Sequence, residues 1–473
     1  MRLLVYGLGR SGGAVVERAA GMGHLVGFVE QRRQGADVDA ALALGAERVE
    51  DVLAWSAELC VAAPGVPIDH PDLKSLRSGG VEVIGEVEWI SRSFEARMVG
   101  VTGTAGKGSV TRWLADLLQG AGVDAVAGGN LDPALAAVAR PGATWVVELS
   151  SFQLERCPTL RPDVAVVLNL GVDHLDRHGD VTRYHAAKRT IMANLGPEQA
   201  FVFDAGEPAL RQWASATSAR LLPYVSSPEA AEALSAELGL EPSASVHVSD
   251  DTIRLSGEPL MSAGELRVRG HHQHANALAV ALSARELGVP PDAITAGLRA
   301  FRGLPGRYRD LGHLGHVCFV EDSIATRELA VAAALRSTPA PVVWLAGGTD
   351  KGADVRTLEA LIRERVSLLL GVGSSGPALV ETVRQWTKAE TVCVSDGRLA
   401  LRRAVSRAWQ HLRDEHQGRG SVLLAPLAAS FDQFRDYVDR AAAYREAVEA
   451  LAVEVRERSA GPAHEEVQWI PSS

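Results

Sequence analysis

Short apolar runs alternate along the chain with stretches whose apolar residues recur at helical spacing. The first run, Leu3–Tyr6, is followed by a glycine-rich turn, Gly7–Gly12, and by a helical pattern that continues to Ala20. A second run, Leu25–Val29, ends beside the acidic residue Glu30. Short buried strands that alternate with helices are typical of α/β folds built on parallel sheets. The pattern therefore predicts an α/β protein from its first residues onward.

The same alternation continues along the rest of the chain. Further strands are predicted at Leu59–Ala62, Val81–Ile84, Met98–Val101, Thr144–Val147, Val164–Leu168, Val317–Val320, Val342–Ala346, Ser367–Leu370 and Val422–Leu424. Helices are predicted at Val110–Gln119, Tyr184–Asn194 and Ala275–Leu287. Turn-rich segments at Ser91–Arg97 and Gly303–Gly306 separate three blocks. The expected domains are residues 1–93, 94–302 and 303–473. Residues 204–268 carry no chemistry that the sequence reveals.

Composition and charge narrow the class of protein. The length of 473 residues fits about three domains at roughly 150 residues each. A net charge of −10 argues against a general binder of nucleic acid or of anionic membranes, which require basic surface. No run of 18 apolar residues occurs, so no membrane span is predicted. Four cysteines without a C-x-x-C spacing predict neither a disulfide framework nor a thiolate zinc site, and favour a reducing, cytoplasmic setting.

Lysine is scarce in this chain. Only five of the 48 basic residues are lysines, at positions 74, 107, 188, 351 and 388. A coding bias toward arginine is the simplest cause. Where charge alone matters, arginine replaces lysine, so the remaining lysines are enriched at sites that need a compact or neutralisable amine.

One of these lysines lies in a second glycine-rich turn, Gly103–Ser109, which follows an apolar strand and opens a helix. In this context backbone N–H groups enclose phosphate and a lysine, here Lys107, reaches the terminal phosphates. The turn predicts an ATP site. Gly108 stands where a metal-binding hydroxyl is expected, so Ser109 or Thr104 is the candidate to supply that hydroxyl. The first turn, Gly7–Gly12, is a weaker signal that fits either a nucleotide or a tight turn without ligand.

Acidic and imidazole side chains follow the strands near this turn. Glu148 ends the strand at Thr144–Val147, where a carboxylate can hold Mg²⁺ against phosphates. The segment Asn169–Asp176 follows another strand and contains His174. A capped surface turn is the alternative for that segment alone, but the neighbouring phosphate loop favours a metal site. Lys188 lies in a helical stretch and would ordinarily be a solvated surface residue.

Together, four segments resemble the Mur ligase family: Gly103–Lys107, Glu148–Glu155, Asp173–Arg177 and Ala186–Lys188. Within that family, Ser150–Glu155 and Ala428–Phe434 are similar to the members that add D-glutamate. The match extends over all three blocks in order. The resemblance implies an N-terminal Rossmann-like domain for the UDP end of the substrate, a central P-loop ATPase-type domain and a C-terminal Rossmann-like domain for the amino acid.

The resemblance also implies roles for individual residues. In the first domain, the substrate-binding candidates are Ser11, Glu30, Gln31 and Arg32, with Pro64-Gly65 as a further nucleotide loop preceded by Ala63 where the family has Ser. In the central domain, the catalytic candidates are Lys107, Asn130, Glu148, His174 and Lys188. The candidate metal ligands are Glu148, His174, Lys188 and Ser109. The cofactor-binding candidates are Gly103, Thr104, Gly106, Lys107, Gly108, Ser109, Asn276, Arg307 and Asp322. Gln273 replaces a family Asn beside Asn276.

In the third domain, the implied acceptor-side residues are Thr326, Lys351, Ser430 and Tyr437. Ile324 occupies a position where the family has lysine. If the segment is helical, Arg327 lies on the same face as Ile324 and would supply the missing cation. Lys188 matches a lysine that the family carbamylates, a reaction that guanidinium cannot undergo because it stays protonated.

The function implied is ATP-dependent addition of D-glutamate to UDP-N-acetylmuramoyl-L-alanine through an acyl phosphate, with ATP and two Mg²⁺ ions as participants. No nucleic-acid or membrane partner is expected. A cytoplasmic monomer is expected. Other amino-acid ligases of the family, or a folylpolyglutamate-type ligase, remain alternatives. An NAD-dependent oxidoreductase would explain Gly7–Gly12 and Glu30 but not Lys107 or Lys188, and a non-catalytic nucleotide-binding relative would explain Gly108 and Ile324.

Overall fold

The computed structural model describes residues 1–247, 251–268, 271–350, 352–459 and 469–471. Its chain forms two compact units. The first consists of Met1–Leu266 and His271–Phe301, and the second of Arg302–Ser473 with the short segment Arg267–Gly270. The first unit contains two separate sheets and the second unit one. The α/β class with parallel sheets, predicted from the hydrophobic pattern, is confirmed.

The N-terminal sheet has the strand order β3-β2-β1-β4-β5 and is parallel throughout. Its strands are β1 (Arg2–Tyr6), β2 (Leu25–Val29), β3 (Glu47–Arg48), β4 (Leu59–Ala62) and β5 (Glu82–Ile84). Its helices are α1 (Arg10–Gly21), α2 (Ala36–Ala43), α3 (Pro71–Ser78) and α4 (Glu86–Ser93). The first strand lies at the centre, so the glycine-rich turn after it opens at the middle of the sheet's carboxyl edge.

The central sheet has the order β14-β13-β12-β11-β10-β9-β6-β8-β7. Its strands are β6 (Met98–Thr102), β7 (Ala125–Gly129), β8 (Thr144–Glu148), β9 (Val164–Val167), β10 (Ala200–Asp204), β11 (Arg220–Val225), β12 (Ala244–His247), β13 (Thr252–Leu255) and β14 (Glu258–Ser262). Only the pairs β12–β13 and β13–β14 are antiparallel. Because β6 lies between β8 and β9, the chain reverses its direction of winding there, and ligands of open α/β sheets bind at such a point.

Nine helices are described around the central sheet. They are α5 (Lys107–Gly120), α6 (Leu135–Val138), α7 (Ser151–Leu154), α8 (Leu175–His178), α9 (Val181–Arg189), α10 (Pro208–Ala214), α11 (Pro228–Leu238), α12 (His271–Glu286) and α13 (Pro291–Ala300). Helix α5 is buried along most of its length and contacts both α12 and α13. The helix that carries Lys107 is thereby held from several sides.

The second unit is built on a sheet of order β19-β18-β17-β20-β16-β15-β21. Its strands are β15 (Arg309–Leu314), β16 (His316–Glu321), β17 (Val342–Ala346), β18 (Val366–Gly371), β19 (Lys388–Thr391), β20 (Arg419–Leu424) and β21 (Trp469–Pro471). Its helices are α14 (Glu328–Ser337), α15 (Glu359–Arg365), α16 (Gly376–Val383), α17 (Gly397–Glu415) and α18 (Tyr437–Ser459). Strand β15 runs antiparallel to both of its neighbours, and the other pairs are parallel.

The strands that the sequence predicted are the continuously apolar ones, and their bounds agree within one residue except at β20. That strand begins at Arg419, three residues before the predicted Val422. The helix predicted from Val110 begins three residues earlier, at Lys107, because Gly106 adopts a left-handed conformation that ends the preceding turn. Residues 204–268, left unassigned, contain α10, α11 and four strands. Their mixed, polar composition shows no clear hydrophobic period, so neither helices nor strands could be predicted there. No helix among the described residues is long and apolar enough to cross a membrane.

Candidate active site

The glycine-rich turn after β6 brings a lysine back over its own backbone. Gly103 and Gly106 have φ values of 150° and 84°, which glycine adopts without strain. Helix α5 then begins at Lys107, whose Nζ donates to the carbonyl oxygens of Gly103 at 2.9 Å and Thr104 at 3.1 Å. The turn therefore combines a helix N-terminus with an ammonium group, the arrangement that binds phosphate.

A second lysine reaches the same turn from α9. Lys188 is 1% exposed, and its Nζ donates to the Gly103 carbonyl oxygen at 2.8 Å and lies 4.6 Å from the centroid of the Tyr184 ring. Burial and the neighbouring charge of Lys107 lower the pKa of Lys188 to about 7, against the opposing effect of Asp173 and Glu148. Near neutral pH a substantial fraction of this amine is therefore uncharged.

A buried carboxylate ends the neighbouring strand. Glu148, the last residue of β8, pairs with Val101 of β6 and is 3% exposed. Its Oε1 accepts a hydrogen bond from Asn130 Nδ2 at 2.7 Å, whereas its buried Oε2 has no hydrogen-bond partner among the described residues. A buried carboxylate oxygen left unpaired is costly unless a cation binds it. Glu148 therefore fits a Mg²⁺ ligand, and oxygen is the donor that Mg²⁺ prefers.

The loop after β9 clamps the glycine-rich turn. Asn169 Oδ1 accepts from the backbone N–H groups of Thr104 at 3.0 Å and Ala105 at 2.9 Å. Further along this loop, His174 has a φ of 51°, lies 4.9 Å from the Phe152 ring between centroids, and is about half exposed. Its Nε2 is 3.4 Å from Asp173 Oδ2. His174 is thus an accessible imidazole on a loop that is fixed to the phosphate turn.

The two candidates for the missing hydroxyl have different surroundings. Thr104 Oγ1 accepts from the N–H of Gly171 at 2.8 Å and from the Tyr184 hydroxyl at 3.2 Å. That hydroxyl already joins the phosphate turn to the next loop and to α9. Ser109 lies in the first turn of α5 and is buried. This difference favours Ser109 as the metal-side hydroxyl, which stays a prediction.

A polar cluster beneath the site was missed by the sequence reasoning. His178 is 6% exposed, with Nε2 3.0 Å from Ser151 Oγ and Nδ1 3.3 Å from Glu155 Oε1. Burial, more than any neighbouring charge, lowers the pKa of His178. Arg177 donates to Glu155 Oε2 at 2.9 Å. These contacts tie α8, whose N-cap is His174, to the segment that follows Glu148. One sequence feature could have indicated this cluster: Glu155 is an acidic residue that follows the uncharged segment 149–154.

Two arginines extend this cluster to the N-terminal sheet. Arg156 Nη2 donates to the Val66 carbonyl oxygen at 2.6 Å and Nη1 to that of Ala63 at 3.3 Å, while Arg177 Nη2 also donates to Val66 at 3.1 Å. Arg156 is buried, and that burial lowers its pKa to about 10. The loop that contains Pro64-Gly65 is therefore anchored by its carbonyl groups to the central sheet.

The candidate adenine-side residues also reach the phosphate turn. Asn276 Nδ2 donates to Gln273 Oε1 at 3.1 Å, and both side chains are buried. A Cβ at Gly106 would lie 2.7 Å from Asn276 Oδ1. Asn276 is thus brought against the turn, and Gln273, which departs from the family pattern, orients it.

In the N-terminal sheet, Glu30 closes the first glycine-rich turn. Its Oε2 accepts from the N–H of Leu8 at 3.0 Å, and its Oε1 accepts from the backbone and the Nε of Arg32, both at 3.2 Å. Burial alone would raise the pKa of Glu30, but the hydrogen bonds from Leu8 and Arg32 together lower it. Gln31 is exposed beside them, and Ser11 lies half-buried in α1. These residues converge at one edge of the sheet.

In the second unit, the loop after β16 is held by buried polar groups. Asp322 Oδ1 accepts from the N–H of Tyr308 at 3.1 Å, and burial raises the pKa of Asp322 to about 7. Arg440, 2% exposed, donates to the carbonyl oxygens of Ser323 at 2.8 Å and Ala428 at 3.1 Å. Arg440 was also missed, because a helical arginine gives no sign of burial. It joins the Asp322 loop to the segment that contains Ser430.

The remaining acceptor-side candidates have varied positions. Ser430 is buried and Tyr437 begins α18, close to Gly306, while Arg307 and Thr326 lie on the flanking turns. Lys351 lies outside the described residues.

The helical premise for Arg327 is wrong. Ile324 lies in a turn, its N–H bonded to the Gly306 carbonyl oxygen at 2.9 Å, and α14 begins only at Glu328 with Arg327 as its N-cap. A cap residue has non-helical backbone, so spacing along a helix does not relate these two side chains. The proposed cationic role of Arg327 stays a prediction without that support.

Comparison with known proteins places these features in context. Residues 101–284 match the Mur ligase middle domain. The chain is 43% identical over 472 residues to a UDP-N-acetylmuramoylalanine–D-glutamate ligase of Thermus thermophilus, with 99% of both chains covered. It is 42% identical to the ligase of the same name from Deinococcus radiodurans, covering 95% of this chain and 92% of the relative.

Solved structures show the same fold at low identity. A UDP-N-acetylmuramate-alanine ligase from Thermotoga maritima superposes with a TM-score of 0.57 at 17% identity, covering 95% of this chain and all of that chain. A MurF ligase from the same organism, solved in complex with ADP, gives a TM-score of 0.55 at 17% identity over 90% of this chain and 96% of its own.

Proposed function

We propose that this chain, which belongs to the Mur ligase family, joins D-glutamate to UDP-N-acetylmuramoyl-L-alanine at the expense of ATP. The observation that carries the proposal is the convergence of Lys107, Lys188 and Glu148 on the glycine-rich turn. The full-length relatives named for this reaction give the substrates. The product would be a cytoplasmic precursor of peptidoglycan.

The central-sheet residues would activate a carboxylate. Lys107 would neutralise the terminal phosphates of ATP, with Gly103, Thr104, Gly106 and Gly108 enclosing them and Asn276 against adenine. Glu148, His174, Ser109 and carbamylated Lys188 would hold Mg²⁺, which when bound offsets charge on the phosphates. Asn130, bonded to Glu148, would orient the reacting carboxylate. The substrate carboxylate would attack the γ-phosphorus of ATP, and ADP would leave, giving the acyl phosphate. The amine of D-glutamate would then attack the acyl carbon, lose a proton and expel phosphate, leaving an amide.

Carbamylation is the chemistry that the environment of Lys188 supports. A neutral amine adds CO₂ and releases one proton, giving an anionic carbamate in place of the amine. Burial and the nearby Lys107 favour the uncharged amine needed for this step. Arginine could not substitute, since guanidinium stays protonated.

The other substrates would bind at the edges of the two remaining sheets. Ser11, Glu30, Gln31 and Arg32 would contact the UDP portion, with residues 1–93 acting as its domain. Residues 94–302 would bind ATP, and residues 303–473 the amino acid. Within the last domain, Thr326, Lys351, Ser430 and Tyr437 would meet D-glutamate, and Arg307 and Asp322 would contact the nucleotide. We propose that the protein acts as a monomer.

Phosphate release measured across a panel of acceptors tests the proposed reaction. The assay contains UDP-N-acetylmuramoyl-L-alanine, ATP and Mg²⁺, with one D- or L-amino acid at a time. We expect release that depends on D-glutamate, with an amide product of the corresponding mass. Release with L-alanine or a diamino acid instead would favour another branch of the family. Tight ATP binding without release under every acceptor would favour a non-catalytic relative.

A variant series tests the carbamate. Lys188→Ala should lose most of the activity, and a small carboxylate such as acetate or formate should restore part of it. Lys188→Arg keeps the charge but cannot be carbamylated, so it should be inactive and resist this rescue. Lys388→Ala, a change at an exposed lysine paired with Glu415, serves as the matched control. Equal activity of Lys188→Arg and wild type would exclude the carbamate.

A further inference from the structure

An irregular hairpin in the second unit brings together three side chains that bind metals. Strands β15 and β16 pair antiparallel, and their register shifts by one residue between Asp310 and Gly312. Such a bulge places one extra residue in a strand and redirects the side chains beyond it. Residues three apart in a regular strand face opposite sides. Here the extra residue, Leu311, lets Asp310 and His313 face the same side.

Across the hairpin, that side carries a cysteine. His313 is directly opposite Cys318, and Asp310 is opposite Val320, two residues further along the same face of β16. His313 Nε2 lies 3.8 Å from Asp310 Oδ2, and Cys318 Sγ lies 3.8 Å from Asp310 Oδ1. The three ligand atoms all fall within 4.8 Å of one another. Cys318 and Asp310 are largely buried, and the imidazole is about one-third exposed.

The donor set selects a class of metal. Tetrahedral Zn²⁺ binds thiolate, imidazole and carboxylate at about 2.0–2.3 Å, which separates its ligand atoms by roughly 3.5 Å. The distances from Asp310 to His313 and to Cys318 exceed this value by only a few tenths of an ångström, but they involve different carboxylate oxygens. The carboxylate would therefore rotate to place one oxygen against both partners. Hard cations such as Mg²⁺ disfavour thiolate, whereas Zn²⁺ accepts all three donors.

We propose that Asp310, His313 and Cys318 form a binding site for a thiophilic divalent ion of the Zn²⁺ class, with a solvent molecule as fourth ligand. The thiol now hydrogen-bonded to Asp310 would lose its proton to solvent, and its sulfur would bind the metal as thiolate. The carboxylate oxygen would change from hydrogen-bond acceptor to ligand. The site would fix the bulged hairpin.

The arrangement of these three ligands along the chain is not one that the sequence alone indicates as a metal site. The chain has no C-x-x-C spacing, which is the usual mark of a thiolate zinc site. Only one thiolate is used here, and its partners lie on the opposite strand. The spacing D-x-x-H in a strand would ordinarily separate the two residues on opposite faces, and the bulge reverses that.

Binding of Co²⁺ as a spectroscopic substitute for Zn²⁺ tests the site in the full-length protein with Mg²⁺ in excess. We expect one equivalent of Co²⁺ to produce the near-ultraviolet thiolate-to-cobalt charge-transfer band, and one equivalent of Zn²⁺ to abolish it. Cys318→Ala should remove the band. Cys393→Ala, which changes an exposed cysteine, should retain it. His174→Ala should also retain it, which separates this ion from any bound at the proposed ATP site.

A second pair of variants tests the site without relying on the folding of Cys318→Ala. His313→Ala changes a partly exposed ligand and should weaken Zn²⁺ binding by at least about 10-fold. His316→Ala, at an exposed position of the same hairpin, should leave the affinity unchanged. Absence of the band in wild type would overturn the site and leave a hydrogen-bonded thiol. A band that survives Cys318→Ala, or equal affinities of the two histidine variants, would also overturn it.

Discussion

Two glycine-rich loops, Gly7–Gly12 and Gly103–Gly108, occupy equivalent positions in two sheets but have different chemistry. Each follows an interior strand that is parallel to both of its neighbours, and each leads into a helix. The first is closed by a carboxylate, because Glu30 accepts the N–H of Leu8. The second is flanked by two lysines whose amines bond to Gly103. The same arrangement of strand, glycine-rich turn and helix is thus suited to different ligands by the side chains around it.

The difference teaches where specificity lies. A strand, a glycine turn and a helix N-terminus attract phosphate by their backbone alone. The carboxylate of Glu30 suits the hydroxyls of a ribose beside a diphosphate, whereas paired amines suit the higher charge of a triphosphate. The first loop also reaches the candidate active site, since Arg10 Nη2 donates to the carbonyl oxygen of Asn130, whose side chain donates to Glu148.

The largest expected effect comes from removing charge at the second loop. Lys107→Met should lower kcat/KM by about 10³-fold, because a positioned donor facing developing charge contributes that much. Steady-state phosphate release measures it. Lys74→Met, at an exposed lysine without an assigned role, is the matched control and should leave kcat/KM near wild type. Similar rates for both variants would mean that the amine of the second loop is not its distinguishing feature.

The junction between the two sheets should make stability depend on pH. Glu86 Oε1 accepts from the N–H of Ala136 at 2.6 Å, and burial raises the pKa of Glu86 to about 7 from 4.5. Between those pH values the folded state binds the extra proton, so the free energy of unfolding falls as pH rises. The shift corresponds to roughly 3 kcal/mol.

Denaturant unfolding of wild type and Glu86→Gln at pH 5 and pH 7 measures this slope. Asp322, whose pKa burial also raises to about 7, contributes to the slope in both proteins. The amide of Glu86→Gln keeps the acceptor but does not titrate, so the variant should show less than the wild-type slope. Glu17→Gln, at an exposed position of α1, should keep it. An unchanged slope in Glu86→Gln would show that the carboxyl of Glu86 does not titrate between pH 5 and pH 7.

A methyl group added to each loop sharpens the contrast in backbone geometry. At Gly106 the φ is 84° and a Cβ would lie 2.7 Å from Asn276 Oδ1. Gly106→Ala should therefore raise the KM for ATP by about 30-fold, corresponding to roughly 2 kcal/mol of strain. At Gly9 the φ is −55° and no atom lies within 4 Å of a Cβ, so Gly9→Ala should leave that KM unchanged. Equal KM values would contradict the assigned contact with ATP.

The smallest effect is expected at the first loop. Glu30→Ala should raise the KM for the UDP-linked substrate by about 10-fold. The variant removes both the acceptor of the Leu8 N–H and the carboxylate that would contact the substrate. The KM for ATP should not change. Initial rates with each substrate varied in turn make the distinction. A rise in both KM values would show that Glu30 acts on the fold rather than on one ligand.

Much of the fold could be predicted because buried parallel strands are continuously apolar. Leu59–Ala62 and Val342–Ala346 were predicted with the bounds that the structure has. The strand Ala125–Gly129 was missed because its small residues and glycines resemble a turn. Residues 204–268 were missed because their strands near the sheet edge are short and mixed in polarity, so neither period dominates.

The residues of the candidate site also fall into those that could be predicted from the sequence and those that could not. Lys107, Glu148 and Lys188 could be named because their types are unusual in their segments and match a known family. His178 and Arg440 could not, since each acts through contacts with residues far away in the chain. Asn169 was included in the candidate metal segment, but its contact with the phosphate turn could not be predicted. The i,i+3 argument for Arg327 failed because the helix begins only at Glu328, after both Ile324 and Arg327.

By itself, the sequence determined the alternation of strands and helices, the two glycine-rich loops and the few lysines that chemistry requires. These features depend on local period and residue type, which any one segment carries alone. Only the tertiary structure decided that Lys188 is buried beside Lys107, that Glu148 keeps an unpaired oxygen and that a bulge turns Asp310 toward Cys318. Burial, pKa and ligand geometry arise from neighbours distant in sequence, and packing alone sets them.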